Sequence, residues 1–437
     1  MSGGMPPLAD GDPLAGSPRQ PAPARLVESA ETSLLVKFKA GTPAWVETRL
    51  IQRLNVVEQE VLPGGTRVWD LGANRTARSW VPSLREHTFV ASVEVNRTIH
   101  TAAEVIPNDP LFRSQWGLNT TSNIDVDAPE AWKYATPNPI IVALIDTGID
   151  LYHPDLASQL WVNPGEIPDD GVDNDANGYV DDTWGWNYVE DTNIPMDDAG
   201  HGTHVAGIVG AAAGNALGIA GLNPFARLMP LKFLGADGTG SLDDAVKAIY
   251  YAVQNGARVI NASWSGSLQS PALAEALRYA DSRGVVFVAA AGNERTNVDR
   301  YPSYPGGYAS PNVIAVAPAD AKGNLAGFSN FGKKTVDLAA PAVNVISTWL
   351  GGGFQLSSGT SMATPFVSGA ASLLIAQNPG LSANQVVRRI LSTTKPMASL
   401  KPRLVSGGLI DVDNALRGQA QPNFRAKATP RPGSGGR

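Results

Sequence analysis

Ile140-Ile-Val-Ala-Leu-Ile145-Asp146-Thr-Gly-Ile-Asp150 is an unbroken apolar run closed by a carboxylate and a glycine turn. A run without alternation, ending in Thr-Gly, reads as a buried parallel strand covered on both faces. Open α/β sheets keep their active sites at the carboxyl ends of such strands, so Asp146 is a candidate site residue. Downstream, strands expected at 140–146, 226–234, 257–263, 284–290, 313–319 and 335–339 alternate with helices at 201–215, 241–255, 271–283, 361–378 and 383–393. This is the pattern of a doubly wound, mostly parallel sheet. There is no internal repeat.

Upstream the character changes. The 437 residues suffice for two domains. Residues 1–30 are rich in Pro, Gly and Ala and read as a flexible lead. Residues 31–104 read β-α-β-β-α-β, with strands Leu34–Lys39, Val56–Leu62, Arg67–Leu71 and Phe89–Val95 and helices Pro43–Leu54 and Thr76–Glu86. That is a small α+β unit in the ferredoxin-like order. A catalytic domain is expected over 105–416, then a Pro/Gly/basic tail, 417–437, expected to be disordered. Ten basic against nine acidic residues between 25 and 104 give no nucleic-acid or membrane-surface signature. No stretch is long enough to span a membrane, and the lead lacks the basic start and apolar core of a signal peptide. Zero cysteines exclude disulfides and a thiol nucleophile.

Two further stretches carry chemistry: Gly200-His201-Gly-Thr-His204-Val-Ala-Gly207 and Gly359-Thr-Ser361-Met-Ala-Thr-Pro365. With Asp146 they supply an aspartate, a histidine and a serine. A serine hydroxyl is a poor nucleophile until a base takes its proton, and the base needs a partner to fix its tautomer. Hydrolases with a nucleophile elbow run Ser, acid, His and want Gly-x-Ser-x-Gly, which is not the order or setting here. His201 opens a small-residue helix, whose positive end is expected to keep the imidazole neutral. His204 shares its face, but no glutamate completes a His-Glu-x-x-His zinc motif, so packing is its expected role. Ser361 also opens a helix, in which Pro365 comes early enough to be tolerated. Its backbone N–H can therefore donate to a developing oxyanion. A second donor is expected from Asn293, where the strand Gly284–Ala290 ends in small residues.

The three motifs resemble those of the subtilisin-like serine proteases, thermitase-like members especially, over about residues 105–415. The resemblance implies a subtilisin-like fold in which Ser361 attacks, His201 shuttles the proton, Asp146 orients His201, and Asn293 with the Ser361 N–H holds the oxyanion. It implies that Ser263-Trp264-Ser265-Gly266 pairs with an extended peptide by strand addition. The primary pocket would lie between that segment and Ala290, Ala291 and Gly292, with room for a large apolar or aromatic side chain and with Glu294 at its rim able to accept a basic one. The implied enzyme is a broad, monomeric endopeptidase acting on proteins or peptides. The ferredoxin-like unit becomes an inhibitory, fold-assisting propeptide acting in cis, cut between about Ile99 and Pro107. Family habit points to a secreted or extracytoplasmic enzyme, although no export signal is visible and a cytoplasmic one stays open. A non-catalytic binding protein on this fold would be expected to have lost a triad or oxyanion residue, and all four are present.

Calcium is the implied cofactor. Residues 166–198 hold eleven acidic side chains and no Lys or Arg, more than the net charge of −6. Within them Asp173-Asn-Asp175-Ala-Asn177-Gly178-Tyr179 resembles the first half of an EF-hand-type loop, but position twelve is Trp184 and the bidentate glutamate is missing. The expected ligands are Asp173, Asp175, Asn177, the Tyr179 carbonyl and one of Asp181 or Asp182. Resemblance to thermitase-like proteins implies a second site, with side chains from Asp109, Asp155 and Asn215 and carbonyls from Ala213, Leu217 and Ile219.

Overall fold

The computed structural model describes residues 33–72, 80–96 and 106–420. The expected lead, the linker with its cleavage point, most of the tail and the first turn of the Thr76–Glu86 helix lie outside the described residues. The chain divides into two units, Met1–Ala102 and Ala103–Arg437.

The first unit contains β1 (Ser33–Phe38), α1 (Ala44–Leu54), β2 (Val57–Val61), β3 (Thr66–Asp70), α2 (Val81–Arg85) and β4 (Val90–Val95). Its antiparallel sheet runs β2-β3-β1-β4, the order the β-α-β-β-α-β reading requires. Alternation puts Leu34 and Val36 of β1 inward, where they meet Val46, Leu50 and Leu54 of α1 and the fully buried Trp69.

The second unit is the larger. In chain order it contains α3 (Ala128–Trp132), β5 (Ile141–Asp146), β6 (Trp186–Asn187), α4 (His201–Gly210), β7 (Arg227–Lys232), α5 (Leu242–Gln254), β8 (Val259–Ala262), α6 (Pro271–Ser282) and β9 (Val286–Ala290). There follow β10 (Val313–Ala319), β11 (Leu338–Pro341), β12 (Val345–Trp349), β13 (Gly353–Ser357), α7 (Thr360–Gln377), α8 (Ala383–Ser392), β14 (Lys395–Pro396), β15 (Gly408–Leu409) and α9 (Val412–Arg417). One nine-stranded sheet runs β14-β15-β11-β10-β9-β8-β5-β7-β6, parallel except at the β14–β15 edge. Two apolar layers cover it, one built on α4 and α7 and the other on α5 and α6.

Chain order reverses at β5, which has β7 on one side and β8 on the other. A crevice opens at such a switch point, beyond the strands' carboxyl ends. Helix α4 stops at Gly210 rather than at 215, because Ala211 takes extended backbone, φ −56° and ψ 147°, and the chain turns into a loop. The β12–β13 hairpin and the strands β6, β14 and β15 carry too little periodic signal to be read from sequence. Among the described residues no helix is long and apolar enough to cross a membrane.

Candidate active site

Asp146 ends β5 and is fully buried. Its Oδ1 accepts from His201 Nδ1 at 2.6 Å and from the Thr147 N–H at 2.8 Å. His201 is the first residue of α4, set there by Gly200 at φ +87°. At Gly202 a Cβ would lie 2.1 Å from the Gly148 carbonyl oxygen and 3.2 Å from Asp146 Oδ1, so only glycine lets the helix start approach the strand end. Asp197 ties the same junction. Its Oδ1 accepts from Thr147 Oγ1 and the Gly200 N–H, and its Oδ2 from the Thr203 N–H and hydroxyl. Behind this turn the buried Lys232 donates to the Thr147 and Leu234 carbonyls and to Asp198.

Burial works against a charged His201, but the Asp146 charge and hydrogen bond, with Asp197 beyond, outweigh it and raise its pKa above the ordinary value. Asp146 thus offsets the helix-end field that disfavours an imidazolium, since a carboxylate in contact exceeds a helix-end partial charge. His204 is fully buried, bonds through Nε2 to the Gln355 carbonyl and packs edge-on to Trp349. Burial lowers its pKa to about 4, as the packing role requires.

Ser361 sits in the first turn of α7, after Gly359 and Thr360. Pro365 lies inside the helix and has no N–H, which frees the Ser361 carbonyl from its i+4 partner. Ser263 fills the gap, its Oγ donating to that carbonyl at 2.9 Å. In return the Ser361 hydroxyl donates to the Ser263 carbonyl at 3.0 Å. Among the described residues no hydrogen bond joins Ser361 to His201. A buried relay stands behind the pair. Ser368 Oγ donates to Asn261 Oδ1 at 2.8 Å, and Asn261 Nδ2 donates to Ser263 Oγ at 2.9 Å. The segment Asn261-Ala-Ser263 is a glycosylation sequon by sequence, but its asparagine is fully buried in β8 and spent on this relay. Asn293 lies just past β9, and its Oδ1 accepts from the Thr360 N–H and hydroxyl at 3.0 and 3.1 Å. That clamp fixes the amide and leaves its NH₂ as the donating end.

The residues expected to bind substrate fall in different settings. A cleft of about 320 Å³ opens beyond Ser263 and Asn293, lined by Ser265, Gly266, Glu294, Tyr301, Ser303 and Asn330 among others. Ala290 and Ala291 do not line it, because their register against β10 buries them in the sheet. Gly292 backs it, with Asn330, Glu294 and Ser265 crowding the place of its missing Cβ. Asn330 donates to the Glu294 carboxylate and to the Ala291 carbonyl, which aims Glu294. The cleft's lining mixes apolar surface from Tyr301 and Pro302 with hydroxyl, amide and carboxylate groups. Gly266 exchanges both backbone hydrogen bonds with Tyr304, each 2.8 Å, and cannot pair with a peptide. The open edge shortens to Trp264 and Ser265.

The residues expected at the two calcium sites are also brought together in part. Asp109 and Asp155 are buried, and each of their oxygens accepts from an amide: Gly214 and Asn215 N–H on Asp109, Asn215 Nδ2 and Ile219 N–H on Asp155. Burial raises the Asp155 pKa, against the Asn215 and Ile219 hydrogen bonds. Gly218, at φ +46°, lets the loop carrying the Ala213, Leu217 and Ile219 carbonyls close over Asp155; a Cβ there would lie 2.2 Å from Asp155 Oδ2. Carboxylate oxygens are the ligand type a hard cation takes, and here all four are bonded to N–H groups. In the acidic segment, Asp173 and Asp175 come together with Glu166. Asp182 falls outside that group, since Asn163, Asn177 and Tyr251 bond its two oxygens.

Comparison with known proteins agrees with this geometry. Residues 138–425 match the profile of the subtilase family. Thermitase of Thermoactinomyces vulgaris is 37% identical over 288 residues, 66% of this chain and 91% of that protein. The thermophilic serine proteinase of Bacillus sp. strain AK1 is 37% identical over 338 residues, covering 77% of this chain and 75% of the other. Subtilisin-like protease 1 of Plasmodium berghei is 33% identical over 71% of this chain, which spans about half (54%) of that relative's length. Among solved structures, a protease from Pseudoalteromonas arctica superposes with a TM-score of 0.60 at 28% identity, over 71% of this chain and 98% of its own. The chain belongs to the subtilase family of subtilisin-like serine peptidases.

Proposed function

We propose that the protein is a calcium-stabilised endopeptidase that works through Asp146, His201 and Ser361 and is made as a self-processing precursor. The observation that carries the triad is the 2.6 Å His201 Nδ1–Asp146 Oδ1 contact at the start of α4. It leaves Nε2 as the basic nitrogen. Ser361 Oγ leaves the Ser263 carbonyl, gives its proton to Nε2 and attacks the peptide carbonyl. The oxyanion that forms takes hydrogen bonds from the Ser361 N–H and the Asn293 amide. His201, now an imidazolium held by Asp146, returns the proton to the departing amine. Water then hydrolyses the acyl-enzyme by the same steps in reverse.

The substrate is a protein or peptide lying extended along Trp264–Ser265, its primary side chain in the cleft that Glu294 and Tyr301 line. Glu294 favours a basic or hydroxyl-bearing residue there. Asp109, Asp155 and Asn215 would hold calcium, which would fasten the Pro107–Leu111 segment to the Ala213–Ile219 loop, a role served elsewhere by a disulfide. The ferredoxin-like unit is read as a propeptide from its element order and its position ahead of the subtilase match. Release by self-cleavage in an extracytoplasmic setting, as a monomer, accords with family habit. A fluorophosphonate probe tests the assignment. It should label the wild type and not Ser361→Ala, and only the wild type should appear shortened at its amino terminus by mass. Undiminished labelling of Ser361→Ala would sink the nucleophile, and an active enzyme still intact through residue 1 would sink the propeptide.

A further inference from the structure

Asn330 is 1% exposed, and all four hydrogen-bonding positions of its side-chain amide are taken. Its Oδ1 accepts from the Glu294 and Thr296 N–H groups at 3.2 and 2.8 Å. Its Nδ2 donates to the Ala291 carbonyl at 3.0 Å and to Glu294 Oε2. The Asn330 N–H donates to the Gly292 carbonyl at 2.9 Å, and the Phe331 N–H to the Thr296 carbonyl at 3.0 Å. The loop from Ala291 to Thr296, which carries Asn293 and Glu294, is thus fastened by one buried residue. This fixes which part of Glu294 meets a substrate. Oε2 lies against Gly292, where an added Cβ would stand 2.6 Å from it, 2.4 Å from Asn330 Nδ2 and 3.2 Å from Ser265 Oγ. Oε1 has no hydrogen-bond partner among the described residues, and Glu294 is exposed in the lining of the cleft.

The carboxylate therefore offers a substrate one oxygen and not two. A guanidinium gains most from two parallel bonds to both oxygens, whereas an ammonium is a point donor that needs only one. The remaining ammonium protons suit hydroxyl oxygens, which the same lining supplies at Ser265 and Ser303. We propose that Asn330 determines specificity: by holding Glu294 Oε2 against Gly292 it leaves Oε1 alone for the substrate and selects lysine over arginine before the scissile bond. The inference rests on the reading of Glu294 as the carboxylate of the primary pocket. Asn330 touches no substrate in this account. It acts through Glu294, and removing it frees the second oxygen for a bidentate arginine.

The test measures kcat/KM of the active protein on chromogenic peptides that differ only in the residue before the scissile bond: lysine, arginine or leucine. The wild type should cut the lysine peptide faster than the arginine one by about fivefold, the order of one hydrogen bond. In Asn330→Ser the arginine peptide should gain on the lysine one until the two are about equal. A general loosening of the loop would lower all three peptides together and leave that ratio alone. Butylamine and butylguanidine, as competitive inhibitors of the wild type, keep the test independent of how Asn330→Ser folds, and the amine should bind the tighter. Glu294→Gln separates the two readings, since it should lower the lysine and arginine peptides relative to the leucine one. If it does not, the pocket reading and the inference both fall. Should Glu294→Gln behave as expected while the wild type cuts arginine as well as lysine, or binds butylguanidine as tightly as butylamine, only the role of Asn330 is overturned. An unchanged ratio in folded Asn330→Ser overturns it too.

Discussion

Asp146, Ala262 and Ala290 end strands that are buried on both faces, and the helices that begin at His201 and Thr360 are packed into the same apolar layer. Between Trp161 and Trp184 most side chains are exposed, and the backbone is bent through Asp169, Ala176 and Asp181 at positive φ. There the chain is held by carboxylates and amides bonding its own N–H groups. Packing is dense and indifferent to ions, so it places reacting atoms within tenths of an ångström. A polar scaffold of like charges depends on what neutralises it. Changes at the strand ends should therefore strike turnover, and changes in the acidic segment should strike stability.

The largest effect is expected from Asp146→Asn. It keeps the shape but loses the charge that orients His201, and kcat should fall about 10⁴-fold, as in other triad proteases. The wild-type pH profile sharpens the point. His201 has a raised pKa, so it stays protonated to higher pH, and the acid limb of kcat/KM should lie above the ordinary histidine value of about 6.5. In Asp146→Asn that limb should move to lower pH. A limb that does not move would mean another group titrates.

Asn293→Ala comes next, with a loss of about 10² to 10³ in kcat and little change in KM, the range known for subtilisin. Asn261→Ala should cost less, about tenfold to a hundredfold in kcat, because it acts only through Ser263 on the placement of Ser361. Asn261→Asp, which keeps an acceptor for Ser368, should recover part of the loss. A purely structural role would instead lower thermal stability and leave kcat alone.

At the other region, chelation should leave initial kcat nearly unchanged while lowering the melting temperature. A ligand present at a hundredfold excess over its Kd stabilises the folded state by about 2.7 kcal/mol. For a domain of this size that corresponds to several degrees. Asp155→Ala should remove most of this response. Should sodium chloride at matched ionic strength protect as well as calcium, screening and not binding would be at work.

Much of this was legible in the chain because its signals are local. A six-residue apolar run, a helix start at His201, another at the serine before Met-Ala-Thr-Pro and a buried strand running into Asn293 each declare themselves within about ten residues, and together they determined the sheet class, the family and the four candidate catalytic residues. The β-α-β-β-α-β order of the first unit was as plain, since hydrophobic periodicity is set by the same short-range geometry that forms the elements. What only tertiary structure decided depends on partners distant in sequence. Gly266 is spent on Tyr304, Ala290 and Ala291 are turned into the sheet, Asn330 aims Glu294, and Ser263 caps a carbonyl freed by Pro365 ninety-odd residues away. Glu166 enters the acidic group for the same reason. A carboxylate at an unexpected spacing joins that group only when backbone N–H groups from another turn hold one of its oxygens.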